Sequence, residues 1–368
     1  LSLISMYLLI LFVKYNDYSK LFISILLLGF AFLSKQVPAA YFIICTSLII
    51  FLYSYSKESL KPILISIFSV ISFILITLSY FIVSKTDIRD FFIQYIIFPS
   101  SIGKFRYDNY LLDINNVFLN LKFIHLALFA TLGIFILNLK KKKINFKSKD
   151  VFYLLILISF TFSMIFHQLH TKNQIFIFFL IPLLSSFFLY FSKENKWGNK
   201  KYLNGLVIIF CVFVTIKYHI RFNEMRKFHE LSSTNINQAI EIDFEKDFFN
   251  GLKWITPNFE DPKKELKIIK EFLISMRERN DKNIIITRYT FLAGLLENST
   301  YSPSRTFDHI STPLLGNEYF DDYKIFFKKN IIKNNIDNIF IFNPGFKITE
   351  NNLKNVIFNY LPNDCYLV

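Results

Sequence analysis

The sequence predicts an all-α polytopic membrane domain of about eight transmembrane helices followed by a small soluble α/β domain. Three observations predict it. Hydrophobic residues make up 53% of 368 residues, with 46 Phe, and through residue 219 they fall in blocks of membrane-spanning length. The loops between those blocks alternate sharply in charge. From about residue 220 the pattern changes to short apolar runs alternating with amphipathic stretches. The domains are therefore expected at 1–219 and 220–368.

The apolar spans run roughly over 1–13, 18–37, 38–56, 62–84, 117–139, 151–169, 174–191 and 202–219. Backbone groups inside lipid must be paired within their own segment, so each is expected to be a helix. Position 1 is Leu inside an apolar run, and the expectation is an N-terminally truncated fragment with earlier segments out of view. One set of loops carries Lys14, Lys20, Lys57, Lys61, Lys140 to Lys143, Lys147, Lys149, Lys193, Lys196, Lys200 and Lys201. The other carries only Lys35, Lys85, Arg89, Lys104, Arg106 and Lys172. The positive-inside rule puts the richer set in the cytoplasm. Outside are then the turn at Lys35, the loop 85–116, the loop 167–173 and the tail. The expected location is the inner (plasma) membrane of a bacterium, with the tail extracytoplasmic.

The net charge of +14 does not point to nucleic acid. All of the excess lies in residues 1–217, where loop lysines fix orientation, and the remainder carries 20 basic and 20 acidic residues with no basic stripe. Cys45, Cys211 and Cys365 are far apart, so neither a disulfide framework nor a zinc site is expected.

Three outer segments hold the candidate site residues. In LLLGFAFLSKQVPAAYF (26–42) a cation and an amide, Lys35 and Gln36, interrupt two apolar runs. Lys35 serves either as a snorkelling anchor or as a contact for an anionic head group. The loop 85–116 has an aromatic, apolar middle at Phe91–Phe98, flanked by Asp87, Arg89, Asp90, Lys104, Arg106 and Asp108. It is expected to lie in the outer interface, as solvated loop or as lid. HQLHTKN (167–173) contributes His167, His170, Lys172 and Asn173, donors suited to sugar hydroxyls or phosphate oxygens. The two histidines at i, i+3 permit a divalent metal, but no third ligand lies nearby, so no cofactor is assigned.

In the tail, 261–280 has a 3.6-residue apolar period, NIIIT and NIFIFNP read as buried strands, and 318–334 and NNLKNVIFNY read as helices. Two or three parallel strands are expected. Arg305, Asp308 and His309 stand in a long loop, and no GxGxxG or GxxxxGK[ST] pattern is present.

GFAFLSKQ followed by PAAYF, together with HQLHTKNQIFIFFLIPLL, resembles the middle of GT-C superfamily membrane glycosyltransferases, the group of protein mannosyltransferases and lipid A aminoarabinose transferases. The resemblance covers residues 1–219. It implies transfer of a sugar from a polyprenyl-phosphate carrier to a lipid, glycan or protein acceptor at the outer membrane surface. It further implies a catalytic carboxylate in the first outer loop, which nothing here matches, so no base is assigned. Lys35, Gln36, Arg106, His170, Lys172 and Asn173 are then the candidates for carrier-phosphate or substrate binding. The alternatives are an O-antigen polymerase or ligase, for which 85–116 is poor in arginine, and a non-enzymatic transporter or assembly subunit, for which mid-span polar groups are scarce.

Overall fold

In the computed structural model the described residues are 1–100, 113–141, 147–171, 177–193, 200–225, 231, 234–244, 251–257, 259–279, 281–296, 312–313, 315–342, 344 and 358–361, with the side chains of His170, Thr171 and Lys200 also set aside. In chain order the helices are α1 Ser2–Tyr15, α2 Tyr18–Ser34, α3 Gln36–Ser56, α4 Lys61–Val83 and the short α5 Ile88–Phe91. They continue with α6 Lys122–Lys140, α7 Lys149–Thr171, α8 Leu180–Ser192, α9 Lys200–His219, α10 Pro262–Arg277, α11 Leu292–Leu295 and α12 Phe320–Asn334. The strands are β1 Ile240–Glu241, β2 Lys253–Trp254, β3 Asn283–Ile286 and β4 Asn338–Ile341.

The chain divides into two units, Leu1–Thr86 with Phe105–Lys227, and Asp87–Lys104 with Phe228–Val368. The first is an all-helical membrane domain. Five of its helical segments are long and apolar enough to cross a membrane: Gln36–Ser56, Lys61–Val83, Lys122–Lys140, Lys149–Leu169 and Lys201–Met225. Ser2–Tyr15, Tyr18–Ser34 and Leu180–Ser192 are shorter apolar helices. The seventh expected span, 174–191, is represented among the described residues by α8, whose helix begins at Leu180.

Helix packing here follows the rules of a lipid environment, where close fit and polar bridges replace the hydrophobic drive. Ser5 and Ser24 exchange hydroxyl-to-carbonyl bonds between α1 and α2 at 2.9 and 2.8 Å. Ser69 of α4 donates to the Phe22 carbonyl at 2.7 Å. Between α6 and α8, Thr131 donates to the Leu184 carbonyl and Asn138 to that of Phe191, at 3.0 and 2.7 Å. Gly29 lets α2 approach α4: a Cβ there would lie 2.6 Å from the Phe73 ring. Gly29→Ala is expected to destabilise this unit by about 1–3 kcal/mol through overpacking. Thermal unfolding in detergent checks it, and an unchanged midpoint would show that Phe73 moves aside freely.

The helix ends sort into two groups. Lys149 Nζ donates to the Lys14 carbonyl at 2.5 Å, Lys147 lies 3.9 Å from Glu58, and Tyr190 donates to Asp150 at 2.9 Å. These contacts bring the ends of α1, α3 and α8 to the start of α7. That end of the bundle carries the lysine-rich loops. The opposite end gathers the α2–α3 turn, the start of α6 and the ends of α7 and α9.

In the second unit β3 and β4 pair in parallel, with Asn283 opposite Asn338 through Ile286 opposite Ile341. A parallel pair needs a crossover, and α12 lies within it. All four β3 residues are buried, which matches an apolar strand covered on both faces. Instead of a third parallel strand, the described residues hold a second sheet, the two-residue antiparallel pair β1–β2. Of NNLKNVIFNY only 358–360 lies among the described residues, and it is helical.

Asp87–Lys104, which the sequence placed in the membrane interface, belongs to this second unit. α5 runs on into a π-helical turn, Phe92–Ile97. Ile93 and Phe98 are buried, and the Phe98 ring lies 6.2 Å from that of Tyr323 on α12. Lys329 of α12 bonds Asp87 at 2.6 Å and Asp90 at 3.2 Å, and Arg89 lies 3.8 Å from Asp322. The hydrogen bond from Lys329 holds the Asp87 carboxyl below the usual carboxylate range. The physical reason for the difference is that the apolar middle of the segment finds a protein face to cover. Exposed ion pairs of this kind add little individually, so the buried Ile93 and Phe98 carry the packing.

Candidate functional site

The turn at Lys35 is a single residue long. α2 ends at Ser34, Lys35 is the one residue between the helices (φ −157°, ψ 113°), and α3 begins at Gln36. Val37 departs from helical geometry (φ −106°, ψ 129°), as the residue before a proline must. Lys35 donates its backbone N–H to the Ala31 carbonyl at 2.9 Å, and its side chain is exposed. Gln36 is half-buried. A cation therefore projects from the joint, with an amide half-enclosed beside it.

α3 packs antiparallel on α7. Tyr53 meets Phe152, Phe42 meets Phe160 and Tyr41 meets Phe166, with ring centroids 4.9, 5.2 and 5.9 Å apart. This order brings the start of α3, and with it the Lys35–Gln36 turn, to the end of the pair where α7 finishes. There His167 and Gln168 are buried, at 6% and 3% exposure. Both amide atoms of Gln168 lack a hydrogen-bond partner among the described residues, as do the hydroxyls of Thr161 and Thr46. Thr161 and Gln168 are seven residues apart, so they share one face of α7. An unpaired amide in an apolar interior is costly and marks a place where a polar ligand has something to bind.

Of the residues picked out from the sequence, Lys35 and Gln36 fall at this end of the α3–α7 pair. His170 lies in the last turn of α7, but its side chain is outside the described residues, as are Arg106, Lys172 and Asn173. Arg305, Asp308, His309 and Cys365 also lie outside them. Gln168 was missed, although its seven-residue spacing from Thr161 within a largely apolar span was a readable signal. Among the described residues no group of three or more His, Cys, Asp or Glu is placed to hold a metal ion.

Comparison with known proteins decides nothing further. No family model, no curated protein and no solved structure matches the chain. The site therefore rests on its own chemistry.

Proposed function

We propose that the chain is a membrane glycosyltransferase of the GT-C kind, moving a sugar from a polyprenyl-phosphate carrier to a lipid, glycan or protein acceptor. The observation that carries this reading is the buried Gln168 amide at the end of α7, which has no hydrogen-bond partner among the described residues and is set at the same end of the helix pair as the Lys35–Gln36 turn. In it, Lys35 meets the carrier phosphate as a point charge, and the amides of Gln168 and Gln36 meet sugar hydroxyls. A cation on the departing phosphate stabilises the charge that develops as the glycosidic bond breaks. By the charge pattern of the sequence the outer segments also carry His170, Lys172, Asn173 and Arg106, further donors for the carrier phosphate or the sugar.

In this reading all eight apolar helices cross the membrane. The lysine-rich end is cytoplasmic, and the Lys35 end faces outward in a bacterial plasma membrane. The second unit is a soluble extracytoplasmic α/β domain. The catalytic carboxylate is unassigned.

The test uses membranes containing the full-length protein and a polyprenyl-phosphate hexose with a labelled sugar. Lys35→Ala is expected to lower transfer by about 10–100-fold while expression and insertion are unchanged, the scale for removing one stabilising charge. Equal transfer by variant and parent would reduce Lys35 to an anchor. A parent that transfers no sugar from any polyprenyl-phosphate donor would remove the enzyme class.

A further inference from the structure

Where α6 begins and α9 ends, three cations surround one cavity of about 690 Å³: Lys122, Lys217 and Arg221. Lys122 and Lys217 lie against the same ring, their Nζ atoms 5.7 and 5.2 Å from the centroid of Phe123. Arg221 lies 5.5 Å from the ring of Phe222. Among the described residues none of the three is in an ion pair; the carboxylates in ion pairs there are met by other cations. Two ammonium groups gathered on one ring, with a guanidinium on the same cavity, repel one another until an anion sits between them.

The cavity does not stand alone. One turn further along both helices, a second one of about 220 Å³ is lined by Leu126, Ala130, Phe188 and Phe210. A third, of about 450 Å³, shares Ala130 and Phe188 with it and continues past Gly133 to Leu137. α6 and α9 both pack on α8; the second pocket is lined by all three helices and the third by α6 and Phe188 of α8, so that together they form an apolar channel along α6. At 1.5 Å per residue the apolar pockets follow α6 from Leu126 to Leu137 for roughly 17 Å, about the depth of one bilayer leaflet.

We propose that this is a binding site for a phosphate-headed membrane lipid. Its head is held by Lys122, Lys217 and Arg221, and one of its chains lies in the channel past Ala130 and Gly133. A phosphate accepts from ammonium groups and from the guanidinium fork at once, and among the described residues the three cations have no carboxylate in an ion pair with them. The channel is what distinguishes a lipid from a free phosphate, since an inorganic ion gains nothing from an apolar groove. This site is separate from the Lys35 turn and stands whether or not the chain transfers a sugar.

The experiment is native mass spectrometry of the full-length protein in detergent. Its probes are dioleoyl phosphatidic acid, dioleoylglycerol and inorganic phosphate. Phosphatidic acid is expected to be retained and dioleoylglycerol not. Lys217→Ala with Arg221→Ala is expected to cut retention by about 10-fold or more. Gly133→Phe is expected to cut it several-fold by filling the channel; a Cβ at Gly133 meets nothing within 4 Å, and an unchanged unfolding midpoint of the variant in detergent checks that it folds. Equal retention by the parent and the double variant would overturn the cationic head site. Inorganic phosphate displacing the lipid at equal concentration, with Gly133→Phe without effect, would overturn the lipid in favour of a free-anion site.

Discussion

Glu265→Ala is expected to destabilise the second unit by about 3 kcal/mol, near the upper end for a single substitution. Glu265 is fully buried on α10 and accepts from three side chains. Trp254 Nε1 and Thr256 Oγ1 each donate to Oε2 at 2.8 Å, and the Tyr289 hydroxyl donates to Oε1 at 2.7 Å. The carboxylate thus ties β2, α10 and the segment after β3 together. Burial and the bond to Glu265 both push the Tyr289 hydroxyl up, so it stays a donor at every ordinary pH. Truncation removes the acceptor of the Trp254 and Thr256 donors and leaves the Tyr289 hydroxyl only the Pro344 carbonyl, at 3.0 Å. Glu265→Gln keeps one acceptor oxygen but turns an NH₂ toward the others, and about half the loss is expected. The readout is unfolding followed by Trp254 fluorescence in a Trp197→Phe background. A midpoint within about 0.5 kcal/mol of the parent would mean that the donors find other partners.

Gln168→Leu is expected to make the membrane unit more stable and the protein less active. An amide with neither atom bonded costs about 1–3 kcal/mol, and an apolar side chain of similar size recovers most of it. If the amide is there to meet a sugar, transfer falls by about 10-fold or more in the same variant. The two readouts together separate a ligand-binding amide from a packing fault. Higher stability with unchanged transfer would remove Gln168 from the site. Lower stability would mean that its partner lies outside the described residues.

Much of the helical framework was legible because it depends on properties summed over many residues. Blocks of about 20 apolar side chains define the spans, and Pro38 with Lys35 marks the break between α2 and α3. α10 lies at Pro262–Arg277, where the 3.6-residue period begins behind Asp261, whose side chain accepts from the Lys263 N–H. Boundaries drifted where the backbone leaves the α-helix. The fifth span starts with a π-helical turn at Asn115–Leu119, and the last helix runs on through another at Ile220–Met225. Pairings over long separations were not legible. Nothing local to Phe91–Phe98 says that it will cover α12 rather than lipid, because an aromatic run satisfies either surface. The state of Gln168 was equally hidden, since whether an amide is paired depends on neighbours from other helices.

The bonds from Lys329 to Asp87 and Asp90 span 242 and 239 positions, which makes the second unit discontinuous in the chain. During synthesis the 87–104 strip is made long before the face it covers, and it must wait while four further apolar helices are made. An excised tail of residues 228–368 would lack that strip and would bare Tyr323 and Lys329. The practical unit of folding is therefore not the tail, and a fragment intended to behave natively has to carry the earlier strip along with it.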